Sequence, residues 1–143
     1  MLIINLPSDG LSKKDIFTAM VKAAEQDSSE AQLMADNEEA IVAALMNREK
    51  LGDTCVAPGI AMAHARIEAL QRVFLMGAIL SEPMEWGGQN QVELVFMLLI
   101  PGVLDAEGAK ESRKLMKLLA DDEVCRNMIQ AATPAELQSF FLN

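Results

Sequence analysis

The hydrophobic pattern of the first half of the chain predicts a strand followed by two helices. Residues 2–6 form an apolar run that ends at the turn-forming residues Pro7–Gly10, which indicates a short strand. A helix over about 12–26 is expected next, because apolar residues recur there at helical spacing. Ser12 stands three residues before Asp15, a weak form of the capping box that opens helices.

A polar break at 26–30 separates this helix from a second one. Asp36 and Asn37 are suitable N-terminal caps for the second helix, and Gly52 is suited to end it. The residues that form its apolar face are Ile41, Ala44 and Leu45.

Four segments in the middle of the chain have the character of strands. Residues 54–57 and 60–64 flank a Pro-Gly turn, whereas 72–80 and 92–100 are apolar on both alternating faces. Strands of the latter kind are typical of a sheet that helices cover on each side. The turn-rich connection at 82–88 predicts a hairpin or a short excursion at the edge of the sheet.

The last third of the chain is predicted to be helical. A helix over about 106–120 is followed by acidic residues at 121–123, which favour the start of another helix. Thr133, with Pro134 after it and Glu136 three residues on, opens a closing helix. The apolar residues assigned to these helices are Leu115, Met116, Leu118, Leu119, Leu137, Phe140 and Phe141. The fold class is therefore α/β, with a mixed sheet between helices in one domain over 1–143.

The net charge, the cysteine count and the length of the apolar runs exclude several classes of protein. The chain has 143 residues, a formal net charge of −9 and only two cysteines. This charge argues against nucleic acid or anionic lipid as a partner held by bulk charge, and the low cysteine count excludes a disulfide-stapled secreted scaffold. The apolar run at 94–100 falls far short of the roughly 20 residues that a membrane helix needs. A cytoplasmic protein without a membrane-inserted segment is expected.

His64 is the one histidine, and its side chain is the only one whose ordinary pKa lies near neutrality. On a strand, Ile60, Met62 and His64 point to one face, while the alanines between them point to the other. This places His64 near the end of a tightly seated strand, where active groups often lie in α/β proteins. The pattern alone leaves an ordinary hydrogen-bonded surface histidine as the alternative.

Other kinds of chemical site find little support in the sequence. A single histidine without a metal-ligand spacing predicts no metal site, and the absence of a glycine-rich phosphate loop predicts no nucleotide cofactor. Cys55 lies in an apolar strand and Cys125 on an apolar helix face, so both are expected to be small core residues.

Five segments together resemble the type-2 EIIA domains of the phosphotransferase system (PTS), the fructose, mannitol and nitrogen-regulatory group. Residues 47–54 read NREKLGDT and residues 58–66 read PGIAMAHAR. Downstream, the similar segments are PMEWG at 83–87, QVELVFMLLIP at 91–101 and LLADDEVCR at 118–126. The resemblance covers essentially the whole chain in order.

The resemblance implies a phosphotransferase that relays a phosphohistidine, with no cofactor. His64 would accept a phosphoryl group on Nε2 from the carrier protein HPr and pass it to a IIB component, usually to a cysteine, for sugar uptake through a IIC permease. Arg48 matches the arginine that lies beside this histidine in the family. Thr54 either donates a hydroxyl to the site or caps a turn. Glu49 either orients a guanidinium or faces solvent, and solvent is the favoured expectation. A shallow apolar docking surface around His64 would include Met62.

Two departures from the family pattern widen the possible functions. Ala63 replaces the proline that precedes the histidine, and the region 107–112 lacks the second histidine that many members carry. Gly108, Lys110 and Ser112 are the candidate replacements, of which only Lys110 supplies charge. The alternatives are a regulatory protein whose phosphorylation state controls partner binding, and a degenerate domain that no longer transfers phosphate.

Overall fold

A five-stranded mixed sheet separates two groups of helices. The computed structural model describes residues 1–88 and 90–142, so Asn143, at the end of the predicted domain, lies outside them. The strands are β1 (Leu2–Leu6), β2 (Cys55–Ala57), β3 (Gly59–Ile67), β4 (Phe74–Gly87) and β5 (Asn90–Pro101). The helices are α1 (Lys13–Gln26), α2 (Ala31–Asp36), α3 (Glu38–Glu49), α4 (Ala106–Leu119), α5 (Asp122–Ile129) and α6 (Pro134–Gln138), with a final 3₁₀ turn at Ser139–Phe141.

The strand order is β1-β4-β5-β3-β2. β1 runs parallel to β4 and β3 runs parallel to β5, whereas β4 and β5 form an antiparallel pair at the centre and β2 lies antiparallel to β3 at one edge. This arrangement confirms the predicted mixed sheet flanked by helices.

The alternation of side chains along β3 divides the protein into two cores. Ala61, Ala63 and Ala65 lie in the core that α1, α2 and α3 build on one face. Ile60 and Met62 lie in the other core, with residues from α4, α5 and α6. The alanine face of β3 packs against α3, because small side chains allow a helix to approach a sheet closely.

Three predicted helix starts have the expected caps. The Ser12 hydroxyl accepts from the Asp15 amide while the Asp15 carboxylate accepts from the Ser12 amide, a complete capping box. Asp121 accepts from two amides at the start of α5, and Thr133 accepts from the Glu136 amide at the start of α6. Each cap satisfies amides that a helix start leaves without partners.

The second helix differs from its prediction. A short helix, α2, precedes it, and Asp36 ends α2 instead of capping α3. Asn37 is the N-cap residue of α3, as predicted, but its side chain makes no capping hydrogen bond, because its amide donates to the Leu33 carbonyl at the end of α2. Of the two caps that the sequence offered, Asp36 therefore lies at the end of a helix that the pattern did not reveal, and Asn37 lies between the two helices.

The segment at 82–88 is mostly strand, which corrects its assignment as a connection. β4 continues to Gly87, so the predicted hairpin is present, but it joins the two central strands and is not an excursion at the edge. β1 ends at Leu6 beside Leu80, and the pairing of β4 with β5 shifts register between Ile79 and Met84. Pro83, inside β4, lies in this irregular stretch, where a residue without a backbone N–H is tolerated.

The apolar stripe of α4 is narrower than predicted. Leu115 and Leu119 are buried, whereas Met116 is 43% exposed. Met116 follows Leu115 by about 100° around the helix, which turns it away from the sheet.

Candidate functional site

His64 lies in β3, opposite Leu98 of β5, and is half-buried. Its Nδ1 atom is hidden from solvent and has no hydrogen-bond partner among the described residues. Its Nε2 atom accepts a hydrogen bond of 3.1 Å from Nε of Arg48. The two ring nitrogens therefore have different surroundings, and only Nε2 faces a charged group.

Arg48 lies in the last turn of α3, where a positive charge is favoured by the helix dipole. Its Nη1 atom donates to the Gly52 carbonyl at 3.2 Å, in the loop that follows the helix. These two hydrogen bonds hold the guanidinium between the helix end and the His64 ring.

The contact with Arg48 constrains the tautomer of the neutral His64 ring. A guanidinium has only donors, so the ring nitrogen that it contacts must present a lone pair. In the neutral ring, the proton is then on Nδ1 and the nucleophilic lone pair is on Nε2. The pair thus combines a nucleophilic nitrogen with a planar cation of the kind that binds phosphoryl oxygens.

Thr54 makes no hydrogen bond to His64 within the described part of the chain. Its hydroxyl donates to both carboxylate oxygens of Glu49, each at 2.8 Å, and accepts from the indole nitrogen of Trp86 at 2.8 Å. The Thr54 residue is only 3% exposed. Of the two predictions for its hydroxyl, neither describes this arrangement, in which the hydroxyl joins the end of α3 to β4.

Glu49 is buried, which corrects the expectation that it faces solvent. Its side chain is 4% exposed and forms an ion pair of 2.8 Å with Lys13 at the start of α1. A carboxylate is costly to bury without partners, and Lys13 together with Thr54 supplies them. The tertiary fold brings these partners together, so the position of Glu49 near the end of a helix gave no sign of them.

Trp86 and Lys13 are site neighbours that the sequence did not single out. Nζ of Lys13 lies 4.6 Å from the centroid of the Trp86 ring, and Phe17 packs edge-on against the same ring at 5.6 Å. The one usable signal was that Trp86 is the only tryptophan, since a buried indole N–H needs an acceptor.

The predicted docking residue Met62 is only 5% exposed, because it faces the core beneath α4 and α5. It is therefore not available to a docking partner, and the prediction is wrong. An exposed apolar residue near the site is Leu51, which is 83% exposed and whose amide donates to the Arg48 carbonyl.

The two positions at which the sequence departs from the family pattern lie in different parts of the structure. Ala63 is buried in the core beneath α3, inside the continuous strand β3. Gly108 lies in the first turn of α4, where its amide donates to Asp105 and its Cα faces Leu104 and Val73. No hydrogen bond or ion pair within the described part of the chain joins Gly108, Lys110 or Ser112 to His64.

Neither cysteine lies in the site as a nucleophile. Cys125 is buried, and its thiol donates to the Leu119 carbonyl at 3.4 Å. Cys55 is half-buried, and burial together with the charge and hydrogen bond of Asp53 raises its pKa to about 11. Cys125 is thus the core residue that was predicted, whereas Cys55 is partly exposed.

Residues 1–88 and 90–142 contain neither a metal-binding cluster nor a helix suited to a membrane. No group of three or more histidine, cysteine, aspartate or glutamate side chains is placed to hold a metal ion. No helix there has both the length and the apolar character required to cross a bilayer.

Comparison with known families identifies the family to which the chain belongs. The family described as "Phosphoenolpyruvate-dependent sugar phosphotransferase system, EIIA 2" matches residues 2–143. The chain belongs to this family. The resemblance inferred from the motifs around Arg48 and His64 is thereby confirmed.

Two relatives illustrate what this EIIA 2 chain is similar to. A "Nitrogen regulatory protein" from Bradyrhizobium diazoefficiens is 33% identical over 100 residues, which cover 68% of this chain and 65% of that protein. The "PTS system 2-O-alpha-mannosyl-D-glycerate-specific EIIABC component" of Escherichia coli is 37% identical over 98 residues, which cover 64% of this chain and 15% of that protein. The chain thus spans less than two thirds of either relative.

The fold recurs in a solved structure. The crystal structure of the nitrogen regulatory protein IIA-Ntr from Neisseria meningitidis superposes with a TM-score of 0.73 and 23% identity, covering 99% of this chain and 92% of that one. At this identity the likeness establishes the shared fold.

Proposed function

We propose that this EIIA 2 protein is a phosphocarrier that accepts a phosphoryl group on Nε2 of His64 in a relay that begins at phosphoenolpyruvate. The observation that carries the proposal is the hydrogen bond of 3.1 Å from Arg48 to Nε2. It places a positive charge beside the only imidazole of the chain. The direct donor would be the phosphohistidine of HPr, in the cytoplasm.

The transfer balances without a further reactant. The Nε2 lone pair of His64 attacks the phosphorus of the donor phosphohistidine, and a new N–P bond forms as the donor N–P bond breaks. The electron pair of the broken bond returns to the donor ring, and His64 keeps its proton on Nδ1. In the next step a cysteine thiolate of a IIB component attacks the same phosphorus, and the electron pair returns to Nε2.

Arg48 would stabilise the charge of the transferred group. Phosphoryl transfer depends mainly on in-line positioning and on positive charge near the equatorial oxygens. A pair of unit charges about 4 Å apart at an effective dielectric constant of 20 is worth roughly 4 kcal/mol before desolvation is subtracted. Because Arg48 occupies the Nε2 lone pair in the free protein, its Nε–H must move to the phosphoryl oxygens as the donor arrives.

The destination of the phosphoryl group has two candidates, each with its own support. Sugar uptake through IIB and a IIC permease is supported by the 37% identity to the EIIABC component. A regulatory role, in which the phosphorylation state of His64 controls partner binding, is supported by the relatives named nitrogen regulatory protein. One of these, from Pseudomonas aeruginosa, is 30% identical over 94% of this chain and 83% of its own length.

The third alternative, a degenerate domain, is disfavoured by the site itself. A domain that no longer transfers phosphate does not require an arginine in contact with the histidine, as Arg48 is with the half-buried His64. Both residues are present and hydrogen-bonded here, although the second family histidine is not.

The test is incubation with phosphoenolpyruvate, enzyme I and HPr, followed by intact-protein mass spectrometry. We expect one acid-labile phosphoryl group per chain in the wild type, none in His64→Ala, and uptake at least about a hundredfold slower in Arg48→Ala. Arg126→Ala, which removes an exposed arginine of α5, is the matched control and should behave as the wild type. Phosphoryl uptake that persists in His64→Ala would overturn the proposal.

A second stage separates the two destinations. Phosphorylated protein is mixed with candidate IIB proteins and the loss of the adduct is followed in time. Rapid discharge to a IIB cysteine supports sugar transport, whereas an adduct that is stable to every IIB protein supports regulation.

A further inference from the structure

We infer that Thr54 is a positioning residue that sets the distance between Arg48 and His64. The inference deepens the proposed function and rests on it. Thr54 is hydrogen-bonded both to β3, which carries His64, and to α3, which carries Arg48. Its main chain makes the first connection and its side chain makes the second.

The main-chain connection runs to β3. The Thr54 carbonyl accepts a hydrogen bond of 2.9 Å from the Met62 amide. Met62 precedes His64 by two residues in the same extended strand, so Thr54 is held at a fixed offset from the imidazole.

The side-chain connection runs to the end of α3. The Thr54 hydroxyl shares its hydrogen between the two carboxylate oxygens of Glu49, both at 2.8 Å. Glu49 is the last residue of α3 and follows Arg48 directly. Successive helical residues point about 100° apart, so Glu49 can anchor the helix end while Arg48 extends toward the ring.

Trp86 and Lys13 make this connection rigid. A hydroxyl has a single hydrogen, and the Trp86 indole donates to the oxygen of Thr54 at 2.8 Å while that hydrogen points to Glu49. Lys13 holds the Glu49 carboxylate at 2.8 Å and lies over the Trp86 ring. Every polar atom of the cluster has a partner, which leaves the hydroxyl one orientation.

The consequence for phosphoryl transfer is geometric. Any movement of the end of α3 relative to β3 displaces the guanidinium from Nε2 by a similar amount. Displacements of about 1 Å can slow an enzymatic step by on the order of a hundredfold. Thr54 therefore acts through Glu49 and does not touch the phosphoryl group.

The first test compares two substitutions of nearly equal size. Thr54→Val keeps the volume and removes the hydroxyl, and we expect the single-turnover rate constant at saturating phosphorylated HPr to fall about tenfold to a hundredfold, with an unchanged concentration for half-maximal rate. Thr54→Ser keeps the hydroxyl and should restore a rate near that of the wild type. A general loss of structure would not produce this separation of rate from affinity, nor rescue by serine.

The second test uses Trp86 as an internal reporter and needs only the wild type and Arg48→Ala. Because Trp86 is the only tryptophan, the ¹H–¹⁵N spectrum contains one indole signal. We expect this signal to shift when His64 is phosphorylated in the wild type. In Arg48→Ala, phosphorylated to completion over a longer time, we expect it not to move.

Each outcome decides the inference. A folded Thr54→Val protein that transfers at the wild-type rate, or a Thr54→Ser protein as slow as Thr54→Val, overturns it. If Thr54→Val does not fold, the Trp86 signal of the wild type decides. A signal that does not shift when His64 is phosphorylated then overturns the inference. A wild type that accepts no phosphoryl group overturns the proposed function and this inference with it, so the two failures are distinguishable.

Discussion

Arg48 donates its Nε–H to the Nε2 atom of His64, the same atom that the proposed transfer requires as nucleophile. In the free protein the arginine thus shields the lone pair and orients the ring. In the proposed transfer, the guanidinium would exchange one ring nitrogen for the phosphoryl oxygens, which are stronger acceptors because they carry charge. The proposal therefore gives Arg48 two roles, to orient the ring in the free protein and to bind the transferred group.

Replacing Arg48 by lysine tests whether the planar guanidinium matters beyond its charge. Lysine keeps the positive charge but loses the fork of donors, and loss of one charge-assisted hydrogen bond of about 1.5–3 kcal/mol corresponds to roughly a tenfold to hundredfold slower transfer. Single-turnover phosphorylation of Arg48→Lys measures this, with Arg126→Lys as the control. Equal rates for Arg48→Lys and the wild type would show that a point charge is enough.

Glu49→Gln tests the buried ion pair at the end of α3. Glutamine keeps the shape and an acceptor, but it leaves Lys13 without its counter-charge, so we expect a loss of about 1–3 kcal/mol in the free energy of unfolding. Urea unfolding should show a lower midpoint with an unchanged slope. The matched control is Glu39→Gln on the exposed side of α3, expected within about 0.5 kcal/mol of the wild type. Similar midpoints for the two variants would contradict the assignment.

Replacing Glu25 of α1 by glutamine is expected to raise the free energy of unfolding by an amount that depends on pH. Partial burial raises the pKa of Glu25, and the hydrogen bond and charge of neighbouring Glu38 raise it further. The folded protein then holds this proton more tightly than the unfolded chain, so the wild type loses stability as pH rises through that range. Glutamine removes the titration.

The check is the difference in urea midpoint between Glu25→Gln and the wild type at two pH values. The variant should be more stable at pH about 7, and the gain should shrink at pH about 3, where Glu25 is protonated in both states. A gain that is larger at the acid pH would contradict the direction of the shift.

Cys55 is predicted to be an unreactive thiol at neutral pH. Burial and the neighbouring Asp53 raise its pKa to about 11, and the reactive form is the thiolate. In a Cys125→Ser background, alkylation by iodoacetamide should accelerate about tenfold for each pH unit between about 7 and 10. A rate that levels off below pH about 9 would show an ordinary thiol.

The sequence predicted those parts of the fold that depend on local pattern. The alternation of Ile60 and Met62 with alanines in β3 gave both faces of the sheet, and Thr133 gave the start of α6 through a hydrogen bond within one turn. The pair of Arg48 and His64 followed from motif resemblance, since nothing in the pattern of α3 shows which residue its last turn faces.

The remaining parts depend on contacts between distant segments. The hydrogen-bonded cluster beside the site draws on two helices, a loop and a strand, through Lys13, Glu49, Thr54 and Trp86. Taken locally, each of these residues has an ordinary interpretation as a surface charge, a turn residue or a core aromatic. The burial of Glu49 becomes understandable only when α1 and β4 lie beside the end of α3. The extension of β4 through Pro83 likewise depends on where β1 ends beside it.

The most direct test of the central claim is a ³¹P and ¹⁵N NMR measurement on protein labelled at histidine nitrogen. Because the chain has one histidine, the spectrum contains a single imidazole. Before phosphorylation we expect the proton on Nδ1 of His64, and after incubation with phosphoenolpyruvate, enzyme I and HPr we expect phosphorus coupled to Nε2 alone. Coupling to Nδ1, or a phosphoryl group on any other residue, would contradict the account.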